Sequence, residues 1–156
     1  GDRVFVDTRS YIEELCAGLR DSILSLRPIA IDCVAESHAI GIEKAVPLGL
    51  IVNECVTNAV KHAFPDGRQG VVEVTFALVG PDYRLTVSDN GPGLAAGEAQ
   101  RLQQRWAQGH DAAERGTGSG LGLAICRSIA EAHGGSIEAR RAPQGGLWIA
   151  IRLPRL

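Results

Sequence analysis

Four polar side chains recur along one side of the apolar segment between residues 43 and 64: Glu54, Asn58, Lys61 and His62. On an α-helix, at about 100° per residue, they fall within an arc of roughly 100° and face one ligand. The Asn58 amide oxygen suits Mg²⁺, which takes few protein ligands beside phosphate oxygens and water. Glu54 can polarise a nucleophile or hold a metal-bound water, and Lys61 and His62 can pair with phosphate oxygens. Taken alone, the same stripe also suits the solvated face of an amphipathic helix.

A carboxylate closes a strand-like segment that begins at Leu85. The segment ends at Asp89 and continues as Asn90-Gly91-Pro92-Gly93. A carboxylate at a strand end can accept a hydrogen bond from an exocyclic amine at the floor of a pocket. Gly91 and Gly93 allow a sharp turn and the close approach of a flat ring. An ordinary Asn-Gly turn is the alternative for this motif alone.

Alternating glycines precede a strongly periodic helical segment. They expose successive backbone N–H groups beside a helix N-terminus, which favours an anion such as a triphosphate. The spacing matches neither GxxxxGK[ST] nor the βαβ dinucleotide fingerprint. A flexible linker is the alternative, but linkers are not followed by a helix reading LGLAICRSIAEA. The predicted phosphate contacts come from Gly116, Thr117, Gly118, Ser119, Gly120, Leu121 and Gly122.

The elements that must position these groups follow from hydrophobic spacing. Helices are predicted after Thr8, which can cap the first, and over residues 43–64 and 121–132. Residues 94–115 lack a firm core signature, which is typical of a functional lid. Helices and strands in mixed order, with antiparallel hairpins, predict an α+β two-layer sandwich in one domain over residues 1–156. Strands are predicted at residues 4–6, 29–34, 71–79, 83–89, 136–140 and 147–153.

Composition restricts the partners and the compartment. The formal net charge of −2 provides no field that would recruit nucleic acid or an anionic membrane surface. No signal peptide and no apolar run long enough to span a bilayer occurs, so we expect a soluble, cytoplasmic segment without membrane contact. Each cysteine lies in an apolar periodic segment without a CxxC pair, which predicts buried reduced thiols at Cys16, Cys33, Cys55 and Cys126.

Three segments in this order resemble one ATPase superfamily, the GHKL or Bergerat group of sensor histidine kinases, type II topoisomerases, Hsp90 and MutL-type proteins. NECVTNAVKH resembles its N box, DNGPG its first glycine box and GTGSGLGLAI its second. The second box with GLGLAICRSIAEAHGG looks like a histidine kinase, and AVPLGLIVNE is similar to the subgroup related to HWE-type kinases. The resemblance implies a mixed, mostly antiparallel sheet packed against three helices.

The resemblance also implies a role for each matching residue. Asn58 would be the Mg²⁺ ligand, Asp89 would read the adenine amine, and Gly91 and Gly93 would border the adenine and hinge the lid. Glu54 occupies the general-base position of the hydrolysing relatives. Lys61 and His62 match positions that approach phosphates, and the phosphates would be cradled by Gly116, Gly118, Gly120 and Gly122.

The sequence departs from the family pattern in three places. The lid lacks a phenylalanine box, with Trp106 as the one candidate replacement. The last hairpin reads GGLWIAI, where many relatives have a threonine that joins an adenine contact through water. The helical hairpin that carries a phosphoacceptor histidine is missing, and we interpret His38, His110 and His133 as structural or exposed.

The resemblance predicts a protein-histidine kinase domain that binds Mg-ATP. It would donate the γ-phosphoryl group to a histidine on a separate helical dimerisation domain of the same parent protein, with a response regulator downstream. An anti-sigma-factor-type serine kinase that acts by partner switching is the alternative. The short chain argues against a third possibility, a topoisomerase-like ATPase.

Overall fold

The computed structural model describes residues 4–23, 28–62, 69–91 and 118–155, with backbone alone for Ile23, His62 and residues 118–121. Within these ranges the helices and strands lie close to their predicted positions. The elements in chain order are β1 (Phe5–Asp7), α1 (Thr8–Ile23), β2 (Ile29–Ala35), β3 (Ala39–Gly41), α2 (Ile42–His62), β4 (Gly70–Val79), β5 (Asp82–Asp89), α3 (Gly118–Ala132), β6 (Ser136–Arg141) and β7 (Leu147–Pro154).

A five-stranded sheet in the order β2-β4-β5-β7-β6 forms one layer. Among the described strands of this sheet, β2 and β4 run parallel and the other neighbours are antiparallel. Gly80, with φ of +62°, turns the β4–β5 hairpin in a left-handed conformation that glycine adopts at little cost. The predicted mixed, mostly antiparallel sheet and the α+β two-layer class are confirmed.

The helices cover one face of this sheet. Alternate residues of β5 point into the helix layer and are buried, namely Tyr83, Leu85, Val87 and Asp89. Helix α2 contacts α1, α3 and β5, and its predicted apolar face is buried in the core. Burial of each larger side chain contributes about 1.5–3 kcal/mol, which orients α2 and turns its polar stripe out of the core. The predicted apolar face consists of Val52, Cys55, Val56, Ala59, Val60 and Ala63; the first five are buried, and Ala63 lies outside the described residues.

The entry to α1 differs from the prediction, because Asp7 and not Thr8 caps the helix. Asp7 Oδ2 accepts a hydrogen bond from the Ser10 backbone N–H at 2.9 Å, the usual geometry of an N-cap. Thr8 is fully buried; its hydroxyl donates to the Glu36 carbonyl at 2.6 Å and accepts from the His38 N–H at 2.9 Å. The Thr8 side chain therefore fastens α1 to a distant part of the chain.

The short strand β3 lies between β2 and α2, where no strand was predicted. It pairs antiparallel with β1 in a separate two-stranded sheet. Next to it, the His38 ring contacts Glu36 Oε1 at 2.9 Å and packs 5.7 Å from the Tyr83 ring centroid. The structural interpretation of His38 is therefore confirmed.

The thiols are less uniform than predicted. Cys16, Cys55 and Cys126 are buried, but Cys33 on β2 is half-buried, and all four are free. Cys55 and Cys126 bring their sulfur atoms to 3.8 Å, which places α2 directly against α3. Among the described residues, no helix is long and apolar enough to cross a membrane.

Candidate functional site

Glu54 of α2 lies against the first turns of α3. A Cβ atom built on Gly122 would come within 3.0 Å of Glu54 Oε2. The two helices are held in this position one turn further on, where Cys126 Sγ approaches both Cys55 Sγ at 3.8 Å and the Ile51 carbonyl at 3.9 Å. The predicted carboxylate and the end of the glycine run, 68 positions apart in sequence, are thereby brought together.

The rest of the α2 stripe continues from Glu54 toward the end of the helix. Asn58 is one turn further along and partly exposed, and Lys61 is exposed. His62 ends the helix, and its side chain lies outside the description. These positions leave the Asn58 amide and the Lys61 ammonium accessible to a ligand.

A divalent ion bound at this polar stripe of α2 would need phosphate oxygens of a nucleotide among its ligands. Within the described ranges, no three His, Cys, Asp or Glu side chains are grouped so that they could hold a metal. Asn58 supplies one neutral oxygen ligand, and Mg²⁺ commonly completes its octahedron with phosphate oxygens and water. The donor set therefore fits Mg²⁺ bound together with phosphates.

The Asp89 carboxylate is held at the end of β5 by backbone groups. The side chain is 4% exposed. Its Oδ1 accepts from the Gly91 N–H at 3.0 Å and from the Leu147 N–H at 3.4 Å. A carboxylate offers about four acceptor positions, and these two backbone hydrogen bonds fix the direction in which they point.

The neighbouring Asn90 fixes the end of β5 to β4. Its side-chain Oδ1 accepts from the Val71 N–H at 2.8 Å, and its own N–H donates to the Val71 carbonyl at 3.2 Å. Strand β5 has β4 and β7 as its two sheet neighbours.

The helix that follows the alternating glycines begins earlier than predicted. The helix begins at Gly118 instead of Leu121. Gly118, Ser119, Gly120, Leu121 and Gly122 therefore form its first turns, where the first four N–H groups of a helix lack intrahelical acceptors. A helix N-terminus of this kind attracts anions. Because these five residues are helical, they do not form a flexible linker.

Several predicted residues lie outside the described part of the chain. These are Gly93, Gly116, Thr117, and the lid over residues 94–115 with Trp106 and His110. The structure thus places Glu54, Asn58, Lys61, Asp89, Gly91 and the start of α3.

Sequence reasoning missed the residues that contact Asp89 from the β6–β7 turn. A Cβ on Gly146 would lie 2.0 Å from Asp89 Oδ1, and the next residue, Leu147, donates its backbone N–H to the same oxygen. The GGLWIAI segment departs from the family pattern because it lacks a threonine. Its contact with Asp89 is made by backbone atoms, so no side-chain motif indicates this contact.

Comparison with known proteins identifies the family. The model of the histidine kinase-, DNA gyrase B- and HSP90-like ATPases matches residues 43–156. Sensor protein KdpD of Escherichia coli K12 is 41% identical over 98 residues, which cover 63% of this chain and 10% of KdpD. Sensor-type histidine kinase PrrB of Mycobacterium tuberculosis H37Rv is 35% identical over 107 residues, which cover 69% of this chain and 23% of PrrB.

Solved structures agree with this assignment. The ATP-binding domain of Mycobacterium tuberculosis PrrB matches with a TM-score of 0.70 at 25% identity, over 100% of this chain and 99% of that one. The mycobacterial sensor histidine kinase MprB matches with a TM-score of 0.71 at 26% identity, over 98% of this chain and 97% of that one. The chain belongs to the histidine kinase-, DNA gyrase B- and HSP90-like ATPase family, and it resembles the ATPase domains of sensor histidine kinases. It spans 10% and 23% of the two curated relatives.

Proposed function

We propose that this domain binds Mg-ATP and donates the γ-phosphoryl group to a histidine on a separate helical dimerisation domain, with a response regulator downstream. The observation that carries the proposal is the buried Asp89 carboxylate, held by two backbone N–H groups on the helix-facing side of the sheet. A buried carboxylate in such a fixed position is suited to a specific hydrogen-bond donor.

Adenine supplies that donor. In the proposal Asp89 accepts a hydrogen bond from the exocyclic amine, and Gly91 and Gly93 border the base. Gly91 is buried beside Asp89 and donates its N–H to the carboxylate. The analogous base with a carbonyl in place of the amine would present an acceptor to an acceptor, so the site would reject it.

The phosphates would lie at the start of α3. Backbone N–H groups from Gly116 to Gly122 would bind the phosphate oxygens, and the helix dipole would favour their charge. Lys61 and His62 would pair with the same oxygens from α2. Asn58 would bind Mg²⁺, which neutralises charge on the phosphates when it is bound.

Catalysis would consist mainly of positioning, because phosphoryl transfer asks little covalent chemistry of the protein. Glu54, held against the first turns of α3, lies close to the proposed phosphates and would orient the incoming histidine nitrogen or accept its proton. Closure of the lid over residues 94–115 would exclude water from the transfer.

The names of the relatives support the proposed acceptor. KdpD is named a sensor protein and PrrB a sensor-type histidine kinase, which favours transfer to histidine over the serine-kinase alternative. We propose a single ATPase domain over residues 1–156, located in the cytoplasm where ATP is available, with its phosphoacceptor on another domain of the parent protein.

Calorimetry with ATP and inosine triphosphate tests the adenine site, because the two nucleotides differ in the group at C6. We expect the wild-type domain to prefer ATP by about tenfold or more, since a hydrogen bond to a charged group is worth about 1.5–3 kcal/mol. Asp89→Asn should lose most of this preference, because its amide N–H₂ would face the adenine amine. Asp82→Asn, at the other end of β5, is the matched control. Unchanged ATP affinity in Asp89→Asn would reject the assignment.

Phosphoryl transfer needs a separate test. The domain is incubated with radiolabelled ATP and the helical domain of its parent protein, and the product is treated with acid. A phosphohistidine loses its label in acid, whereas a phosphoserine keeps it. Acid-stable label on the partner would favour the serine-kinase alternative.

A further inference from the structure

The β6–β7 turn packs against the Asp89 carboxylate and its backbone. A Cβ on Gly146 would lie 2.0 Å from Asp89 Oδ1, 2.2 Å from the Asp89 carbonyl oxygen and 2.7 Å from its carbonyl carbon. Ordinary van der Waals contact begins at about 3.4 Å. Because two of the three close atoms belong to the backbone, rotating the Asp89 side chain cannot relieve the contact. The hydrogen atom of glycine is what permits this packing.

The turn is itself held in place by several hydrogen bonds. The Ala142 N–H donates to the Gly146 carbonyl at 2.5 Å, and the Gly145 N–H donates to the Ala142 carbonyl at 2.9 Å. Gly145 has φ of +112°, which few other residues adopt. The Gln144 side chain donates to Ser88 Oγ at 3.4 Å, directly before Asp89. A side chain at position 146 would therefore have to move either this bonded turn or the end of β5.

Displacement of the turn would also move a hydrogen-bond donor. Leu147 follows Gly146 and donates its N–H to Asp89 Oδ1, together with the Gly91 N–H. The turn thus limits the position of Asp89 by contact and orients its carboxylate by a hydrogen bond. Both effects depend on the short distance between the Gly146 and Asp89 backbones.

We propose that Gly146 is a positioning residue for base selectivity, which acts by holding the Asp89 carboxylate where it meets the adenine amine. This inference rests on the adenine role proposed for Asp89. Gly146 touches no nucleotide in this scheme; it determines which base the carboxylate accepts. Shifting the carboxylate by about 1 Å would weaken a hydrogen bond whose useful range is only a few tenths of an ångström.

The test compares Gly146→Ala with a matched backbone clash elsewhere. In Gly135→Ala the new Cβ would meet the Arg152 carbonyl oxygen at 1.9 Å, at the opposite end of β7. Both variants should unfold at lower temperature than wild type. Only Gly146→Ala should reduce the ratio of ATP to inosine triphosphate affinity, by about fivefold or more, when each is measured by calorimetry at a temperature at which the variant is folded.

The outcomes separate the two proposals. If the wild-type domain binds ATP and inosine triphosphate with nearly equal affinity, both the adenine role of Asp89 and the role of Gly146 are overturned. A wild-type preference for ATP that Gly146→Ala retains, or that Gly135→Ala loses equally, would overturn the role of Gly146 alone. If Gly146→Ala does not fold, Gln144→Ala decides the question, because it removes only an exposed side chain that ties the turn to Ser88. We expect a drop of about twofold in its ratio, and an unchanged ratio would overturn the inference.

Discussion

The Glu54 carboxylate faces the position that a side chain of residue 122 would occupy across the α2–α3 junction. A Cβ at position 122 would lie 3.0 Å from Glu54 Oε2, closer than most real Cβ contacts. The absence of a side chain at Gly122 therefore allows the carboxylate to approach the beginning of α3. Because this end of α3 is the proposed phosphate site, the Glu54 carboxylate of α2 lies close to where the phosphates would bind.

Gly122→Ala should displace the Glu54 carboxylate by a few tenths of an ångström while the fold is retained. Alanine favours a helix over glycine by about 1 kcal/mol, so the melting temperature should not fall. We expect phosphoryl transfer to the helical domain to slow by about fivefold or more, measured with radiolabelled ATP.

A double-mutant cycle separates this effect from interference with phosphate binding. If Gly122 acts through Glu54, the effects of Gly122→Ala and Glu54→Gln should not add, because the new alanine methyl group would meet the side chain at position 54. Fully additive losses of rate would show that the alanine methyl group acts independently of Glu54.

Asn58→Ala should abolish the Mg²⁺ dependence of ATP binding. The alanine removes the proposed metal ligand and should leave the helix intact, since Asn58 is only partly buried. Calorimetry with and without Mg²⁺ should show a gain in affinity for wild type and almost none for the variant. Asn53→Ala, an exposed asparagine on the same helix, is the matched control. An Mg²⁺ effect of wild-type size in Asn58→Ala would refute the metal assignment.

Features that depend on neighbours along the chain could be predicted from the sequence. The apolar face of α2 follows from helical periodicity, and Val52, Val56 and Val60 are buried as predicted. Asp89 ends its strand as the alternation indicated. Each of these positions is decided by residues within one or two turns or within one strand.

Features that depend on distant backbone could not be predicted in this way. Gly146 meets Asp89 through the order of the sheet, which places β7 beside β5. Strand β3 has three residues, too few for an alternation pattern, and its partner β1 is some thirty positions away. Thr8 has the chemistry of an N-cap, but its buried hydroxyl is bound to the Glu36 carbonyl, and Asp7 caps α1 instead.

The thiols should differ sharply in reactivity. A hydrogen bond from Cys16 lowers the pKa of the half-buried Cys33 thiol, because it stabilises the thiolate. A hydrogen bond with Cys126, together with burial, raises the pKa of Cys55. Iodoacetamide should therefore modify Cys33 first in the native domain, while Cys55 and Cys126 should react only on unfolding. Mass spectrometry of the alkylated protein over a pH series gives the order.

The role of Cys16 can be tested by two substitutions. Cys16→Ala should move the pH midpoint of Cys33 alkylation upward, because the donor is lost. Cys16→Ser keeps a donor and should retain a lower midpoint. Equal midpoints in wild type and Cys16→Ala would show that the hydrogen bond does not activate Cys33.

Glu36 should contribute to the loss of stability in acid. Hydrogen bonds from the His38 ring and then from the Leu78 N–H hold the pKa of this carboxyl below its ordinary value. The pKa is lower in the folded than in the unfolded state, so the stabilisation is present above the unfolded pKa of about 4.3 and is lost as pH falls through the folded pKa. Urea unfolding at pH 7 and below pH 4 should show a smaller acid loss in Glu36→Gln than in wild type, because the glutamine cannot take up the proton. Glu73→Gln, an exposed glutamate on β4, is the control, and an equal loss in wild type and Glu36→Gln would contradict the assignment.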